Sequence, residues 1–155
     1  MLTLAIALAL HALAAVFWVG GMLFVLFFVR PVAGRVLEAP QRLALFRGVL
    51  GRFFPVVWLA IAVLLASGYY MVLGPYGGFA QAGAHIHTMH ALALLMAVVF
   101  AHVFFAPWKR FRRALDRGEQ EAAAAELGRI RALVLVNLGL GLVVVLVATG
   151  GRYWY

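Results

Sequence analysis

The chain has 155 residues, of which 66% are hydrophobic and 12% charged, and its formal net charge is +8 at pH 7. A soluble domain of this size carries roughly a quarter charged residues, so the composition excludes one. The sequence has no cysteine, which excludes disulfides and thiolate metal sites. The basic residues lie between apolar runs, where membrane topology and anionic-lipid contacts explain them without a nucleic-acid partner.

Four apolar runs follow one another along the chain. Each is near or above the ~20 residues that a helix needs to cross about 30 Å of hydrocarbon. Backbone amides in lipid must be paired within the segment, so each run is predicted to be a helix. The predicted helices cover residues 2–29, 49–73, 84–107 and 130–150, with a short amphipathic cytoplasmic helix over 112–128. The sequence therefore predicts a single all-α membrane domain, residues 1–155, built as a four-transmembrane-helix bundle that contacts the lipid bilayer.

The linkers between these runs alternate in charge. Residues 30–48 hold four basic side chains, with Arg52 following at the start of the second helix, and residues 108–131 hold seven. These are twelve of the thirteen in the chain, whereas residues 74–83 hold none. The positive-inside rule places the two basic linkers in the cytoplasm and both termini on the outer, periplasmic side. This pattern predicts a multi-pass protein of the bacterial inner membrane.

Histidines within the apolar runs are the candidate functional residues. At 1.5 Å per helical residue, His11 and His90 each lie nineteen residues, about 28 Å, from the next cytoplasmic charge, with His87 one turn further out. His102 lies roughly 10 Å from that boundary. Because His11 and the pair His87 and His90 stand at matched depth on different helices, we expect them to share a ligand, and His90 matches His11 best.

A haem b held by two imidazoles is the first interpretation of that pair. Trp18 lies on the same helical stripe as His11 and is expected beside the cofactor, while Arg152 and His85 are candidate donors to its propionates. The predicted function is electron transfer across or at the membrane, with quinone or a periplasmic redox protein as partner. The candidate metal ligands under any interpretation are His11, His90, His87, His85, His102 and Met22.

Copper is the second interpretation, because "HIHTMH" offers three imidazoles and a thioether within six residues, a donor set that copper favours. A purely structural role is the third. A neutral imidazole can hold two helices together through a hydrogen bond to a carbonyl or hydroxyl. His85 and His102, taken singly, fit that structural role better than a ligand role.

Three segments resemble the CopD-type membrane proteins, and the resemblance covers most of the chain. They are "LHALAAVFWVGGMLFVLFF" at residues 10–28, "LFRGVLGRFFPVVWLAIAVLLASGYYMVL", and "HTMHALALLMAVVFAH". The resemblance implies periplasmic copper handling or copper uptake.

A more distant resemblance is to the HemJ-type protoporphyrinogen oxidases, in which His11 would match the histidine of the first helix. That family also carries a His-x-x-x-Lys-like element. Here His87 is followed four residues on by Ala91, and His90 by Leu94. If the chain is an enzyme, this resemblance implies an oxidoreductase; a homodimer is open under every interpretation.

Overall fold

The structure is a computed structural model that describes residues 1–153, with the backbone alone for Arg152. Its elements are α1 (Leu2–Phe24), a π-helical segment (Val25–Val29), α2 (Arg30–Val36), α3 (Ala39–Leu73), α4 (Ala84–Phe105), α5 (Pro107–Asp116) and α6 (Gln120–Gly150), with single 3-10 turns at Phe79–Gln81 and Gly151–Tyr153. The first three elements form one continuous rod, Leu2–Val36, and α4 and α5 form another, Ala84–Asp116, with a break at Ala106.

Within residues 1–153, four helical rods are long and apolar enough to cross a membrane. They are Leu2–Val36, Ala39–Leu73, Ala84–Asp116 and Gln120–Gly150. The predicted fold class, an all-α membrane protein with four spanning helices, is confirmed. The side of the membrane on which the termini lie stays a prediction from the charge pattern.

Aromatic side chains fill the space between α3 and α4. Phe54 and Trp58 of α3 meet Phe100 edge-on, at ring-centroid distances of 5.4 and 5.2 Å. Trp108 closes the same layer, 5.2 Å from Phe54. Elsewhere α1 packs along α3, and α4 along α6. Lipid tails are as apolar as these side chains, so their close packing, not their removal from water, is what stabilises the bundle.

The helices extend further at the basic end than the apolar runs indicate. α3 begins at Ala39, ten residues before the predicted start, because a capping box begins it. The Glu38 side chain accepts from the backbone of Gln41, and the Gln41 Oε1 atom lies 3.2 Å from the Glu38 nitrogen. These two bonds satisfy donors that a helix start leaves unpaired, so the helix begins at polar residues that a hydropathy pattern does not count.

The prediction of a separate amphipathic helix over residues 112–128 is wrong. α5 ends at Asp116 and α6 begins at Gln120, and the chain turns between them at Gly118, which has φ +74°. Residues with a side chain rarely adopt that backbone conformation, whereas glycine adopts it without strain. The apolar faces of the two helices pack on each other, with Phe111 and Ala123 completely buried. The amphipathic pattern is therefore shared by two antiparallel helices.

A buried carboxylate joins α5 to α6. The Glu126 side chain is only 10% exposed, and its Oε1 atom accepts a hydrogen bond from Arg110 Nε at 3.0 Å and another from Arg129. The second carboxylate oxygen, Oε2, is buried with no hydrogen-bond partner among the described residues. The charge of Glu126 is thus balanced by these two arginines.

Candidate functional site

His11 is held against α3 by a directed hydrogen bond. Its Nδ1 atom lies 2.9 Å from Ser67 Oγ. The Ser67 hydroxyl is itself 2.6 Å from the carbonyl oxygen of Val63, to which it donates. The serine oxygen must therefore accept from His11, which places the proton of a neutral imidazole on Nδ1. Nε2 is then the unprotonated nitrogen, the one that a metal can bind.

A glycine makes room for this imidazole. A Cβ on Gly68 would lie 3.3 Å from His11 Cε1, closer than most side-chain contacts. Ser67 thus gives α3 a hydrogen-bond acceptor for His11, and Gly68, the next residue, leaves space for the imidazole ring. His11 consequently joins α1 to α3, as the structural interpretation predicts, while keeping one ring nitrogen available as a ligand.

His87 and His90 lie one helical turn apart on α4, at the end of the bundle that the charge pattern predicts to be the outer one, and we call them the outer imidazole pair. Both rings contact Phe79, with centroid distances of 6.0 and 5.2 Å. The Tyr69 hydroxyl lies 3.4 Å from His90 Nε2, and the two rings meet edge-on. His87 is exposed and His90 half-buried. The pair therefore lies near the start of α4 against an aromatic wall formed by Tyr69 and Phe79.

The expected sharing of one ligand by His11 and His90 stays a prediction. The two histidines contact neighbouring positions of α3, His11 at Ser67 and Gly68 and His90 at Tyr69, so they stand at the same level of the bundle. Across residues 1–153, neither a hydrogen bond nor a ring contact joins His11 to His87 or His90. The same residues contain no group of three or more His, Cys, Asp or Glu arranged to hold a metal.

His85 and His102 lie apart from this cluster. His85 packs on the C-terminal end of α6, where a Cβ on Gly151 would lie 2.7 Å from His85 Cβ. His102 is exposed in the last turn of α4. Met22 is 3% exposed and lines a cavity towards the basic end of the bundle, and His102 is not among the residues that line it.

Trp18 is a core residue. It is 3% exposed, and its ring meets Phe100 edge-on at 6.1 Å, which ties α1 to α4 across the bundle. The Arg152 side chain, predicted as a propionate donor, lies outside the described residues. Ser67, Tyr69 and Phe79 complete the histidine environment without having been predicted as site residues. Ser67 had a detectable signal, since it is the lone hydroxyl in the apolar stretch 53–68.

Comparison with known protein families shows to which family the chain belongs. The model of the family CopD, copper resistance protein D, matches residues 47–150, which is 104 of the 155 residues. The chain belongs to the CopD family. Comparisons with curated proteins and with solved structures gave no match. The CopD match runs from α3 through α6, so it contains Ser67, Tyr69 and the outer imidazole pair.

Membership of CopD confirms the resemblance and identifies a copper-resistance type of multi-pass membrane protein. It supports copper, the second interpretation of the histidines, over haem b, the first. The predicted quinone or periplasmic redox partner, the homodimer and the protoporphyrinogen oxidase activity gain no support from the family match.

The bond between His11 and Ser67 is testable by a double-mutant cycle. We expect His11→Ala and Ser67→Ala each to lower the free energy of unfolding by about 1 kcal/mol, because polar bonds between membrane helices contribute on that scale. The double variant should lose less than the sum of the two, since both substitutions remove the same bond. Unfolding in a denaturing detergent, followed by circular dichroism, measures the cycle, and strict additivity would contradict the bond.

Proposed function

We propose that the protein binds copper at the outer end of its bundle and handles it as cargo at the bacterial inner membrane. The observation that carries the proposal is the outer imidazole pair, His87 and His90, one turn apart on a CopD helix and facing one aromatic wall. Imidazole is a good ligand for copper in a protein. Exposure of His87 would allow an ion to arrive from water.

The surroundings of the pair support a metal ligand role. The Tyr69 hydroxyl is 3.4 Å from His90 Nε2, a long hydrogen bond that a metal ion could replace at little cost. Both histidines rest on Phe79, which limits how their rings can turn. We propose His11 as a further ligand, because its bond to Ser67 leaves Nε2 unprotonated at the same level of α3.

We also propose that copper passes from the outer imidazole pair into the bundle. Four side chains that could contact copper are buried within the bundle: Met22, Met71, Met96 and Asn137. Thioethers bind the cuprous ion well. The Oδ1 atom of Asn137 is buried without a hydrogen-bond partner among residues 1–153, so it is an interior oxygen able to contact a cation. These groups support a route for copper from the outer pair towards the basic end.

Copper affinity of histidine variants tests the proposal. The purified protein in detergent is titrated with cuprous ion in competition with a chromogenic chelator. We expect His87→Ala and His90→Ala each to raise the Kd for copper at least about tenfold, the loss that removing even an outer-shell partner of a metal site produces. The double variant should bind no copper at the outer end.

His102→Ala is the matched control, because His102 is an exposed imidazole in the last turn of the same helix. Its Kd should stay within about twofold of the parent protein, a change of less than about 0.5 kcal/mol. Equal copper affinity in the parent, His87→Ala and His90→Ala proteins would reject the outer pair as the site. A Soret absorption band in protein expressed with haem supplied would favour haem over copper.

A further inference from the structure

Three arginines from three helices lie at the basic end of the bundle. Arg30 of α2 and Arg131 of α6 line one cavity, and Arg42 of α3 stands within electrostatic reach of Arg30. We call Arg30, Arg42 and Arg131 the arginine triad. Like charges held this close repel one another unless an anion lies between them.

Within the described residues no salt bridge joins the arginine triad to an acidic side chain. Four of the five acidic residues are engaged elsewhere: Glu38 in the capping box, Asp116 with Arg47, Glu119 with Arg117, and Glu126 with Arg110 and Arg129. The fifth, Glu121, lies in the first turn of α6, ten residues before Arg131 and therefore about 15 Å away along the helix. The triad therefore has no salt bridge among the described residues, and its nearest carboxylate in sequence is that of Glu38, four residues before Arg42.

Pro31 accounts for the position of Arg30. A proline inside a helix has no N–H to donate and collides with the carbonyl four residues earlier. The chain relieves this through the π-helical segment Val25–Val29, in which the backbone N–H of Arg30 bonds to the carbonyl of Val25. The extra residue in that turn rotates everything beyond it, and a π-segment of this kind is frequent at functional sites.

The cavity under the triad is apolar and small. Its volume is about 40 Å³, and Met22, Leu50, Phe54 and Val134 contribute to its wall. A cavity of this size, with a wall that is apolar apart from Arg30 and Arg131, would accept a few methylene groups. Two cations on the wall of an apolar cavity, Arg30 and Arg131, with Arg42 within electrostatic reach of Arg30, are complementary to an anionic headgroup attached to hydrocarbon.

We propose that the arginine triad binds the phosphate diester of an anionic phospholipid, with the first methylenes of one acyl chain entering the apolar cavity. The guanidinium groups donate to the phosphate oxygens, which removes their mutual repulsion. The predicted topology places the triad in the cytoplasmic leaflet, where anionic lipids are concentrated. The bound lipid would tie α2, α3 and α6 together at one point, independently of copper binding at the other end.

Retention of lipid by the purified protein tests this site. Detergent-solubilised protein is titrated with phosphatidylglycerol or with phosphatidylcholine of the same acyl chains, and bound lipid is counted by native mass spectrometry. We expect phosphatidylglycerol to bind and Arg30→Gln or Arg131→Gln to weaken it about fivefold each, the contribution of one basic residue to anionic-lipid binding. Phosphatidylcholine has the same phosphate diester, but the triad repels its choline cation, so it should bind more weakly and lose less affinity on these substitutions.

Arg35→Gln is the matched control, because Arg35 is an exposed arginine of the same helix that does not line the cavity. An equal loss in Arg35→Gln would mean diffuse attraction to a basic surface and would overturn the site. Displacement of phosphatidylglycerol by an equal concentration of inorganic phosphate would also overturn it, since a free anion would then suffice. Circular dichroism checks folding, and if Arg30→Gln fails to fold, the exposed Arg131 and the half-buried Arg42 allow the same comparison.

Discussion

Replacing Arg110 and Arg129 together by glutamine is expected to lower the free energy of unfolding by about 3 kcal/mol, the low end of the cost of breaking a buried ion pair. Both arginines donate to Oε1 of Glu126, whose side chain is only 10% exposed. Without them the carboxylate stays buried between α5 and α6 with no cation to balance it. The cost falls at the low end because both arginines are themselves about half exposed, at 49% and 63%.

Adding Glu126→Gln to this double variant should restore most of the lost stability. The triple variant buries a neutral amide in place of an unpaired charge, so its penalty is far smaller. Arg35→Gln with Arg113→Gln removes the same number of positive charges from exposed positions and should change stability by no more than about 0.5 kcal/mol. Unfolding in a denaturing detergent measures all four proteins. A triple variant no more stable than the double variant would show that Glu126 is not the group the arginines balance.

The four spanning helices could be predicted because lipid imposes a simple rule. A segment that crosses hydrocarbon must be helical and apolar for about 20 residues, and both properties are visible in one sequence. The helix ends at the basic end of the bundle depend instead on capping and turn residues. The start of α3 depends on Glu38 and Gln41, and the turn before α6 depends on Gly118, so hydropathy alone placed these boundaries up to ten residues away.

Depth along a helix was also predictable, whereas neighbours across the bundle were not. Counting residues from the basic linkers put His11 and His90 at one level, and both contact α3 within positions 67–69. Which helix faces which is a different question. The four spans are apolar nearly all round, and no more than 28% of the residues in each apolar window are buried in the bundle. Hydrophobic periodicity therefore carries little information about the inward face, and Ser67 and Tyr69 could not be assigned as partners.

Glycines in the spanning helices likewise suggest helix contacts from the sequence, but only the packing shows which of them make one. Gly20, Gly21, Gly139 and Gly141 all suggest close approach of helices. Only two of the four make one: a Cβ on Gly141 would lie 2.9 Å from Val19 Cγ2, and one on Gly21 would overlap the ring of Phe53. Gly20 and Gly139 have nothing within 4 Å of an added Cβ. Adjacent glycines in one motif therefore have different roles.

Gly21→Leu is accordingly expected to destabilise the protein by about 1 kcal/mol, the low end of the cost of overpacking, because the atoms in the way are the far end of the half-buried Phe53 side chain. Even the first added carbon would lie 2.6 Å from Phe53 Cζ, so the ring must leave its stack on Phe17. Gly20→Leu adds the same side chain one residue earlier into open space and should be neutral or slightly stabilising, because leucine favours the helix over glycine. Detergent-induced unfolding compares the two variants. Phe53→Ala in the Gly21→Leu background should recover part of the loss by clearing the space, and equal stability of Gly20→Leu and Gly21→Leu would mean that α1 and α3 do not meet at this glycine.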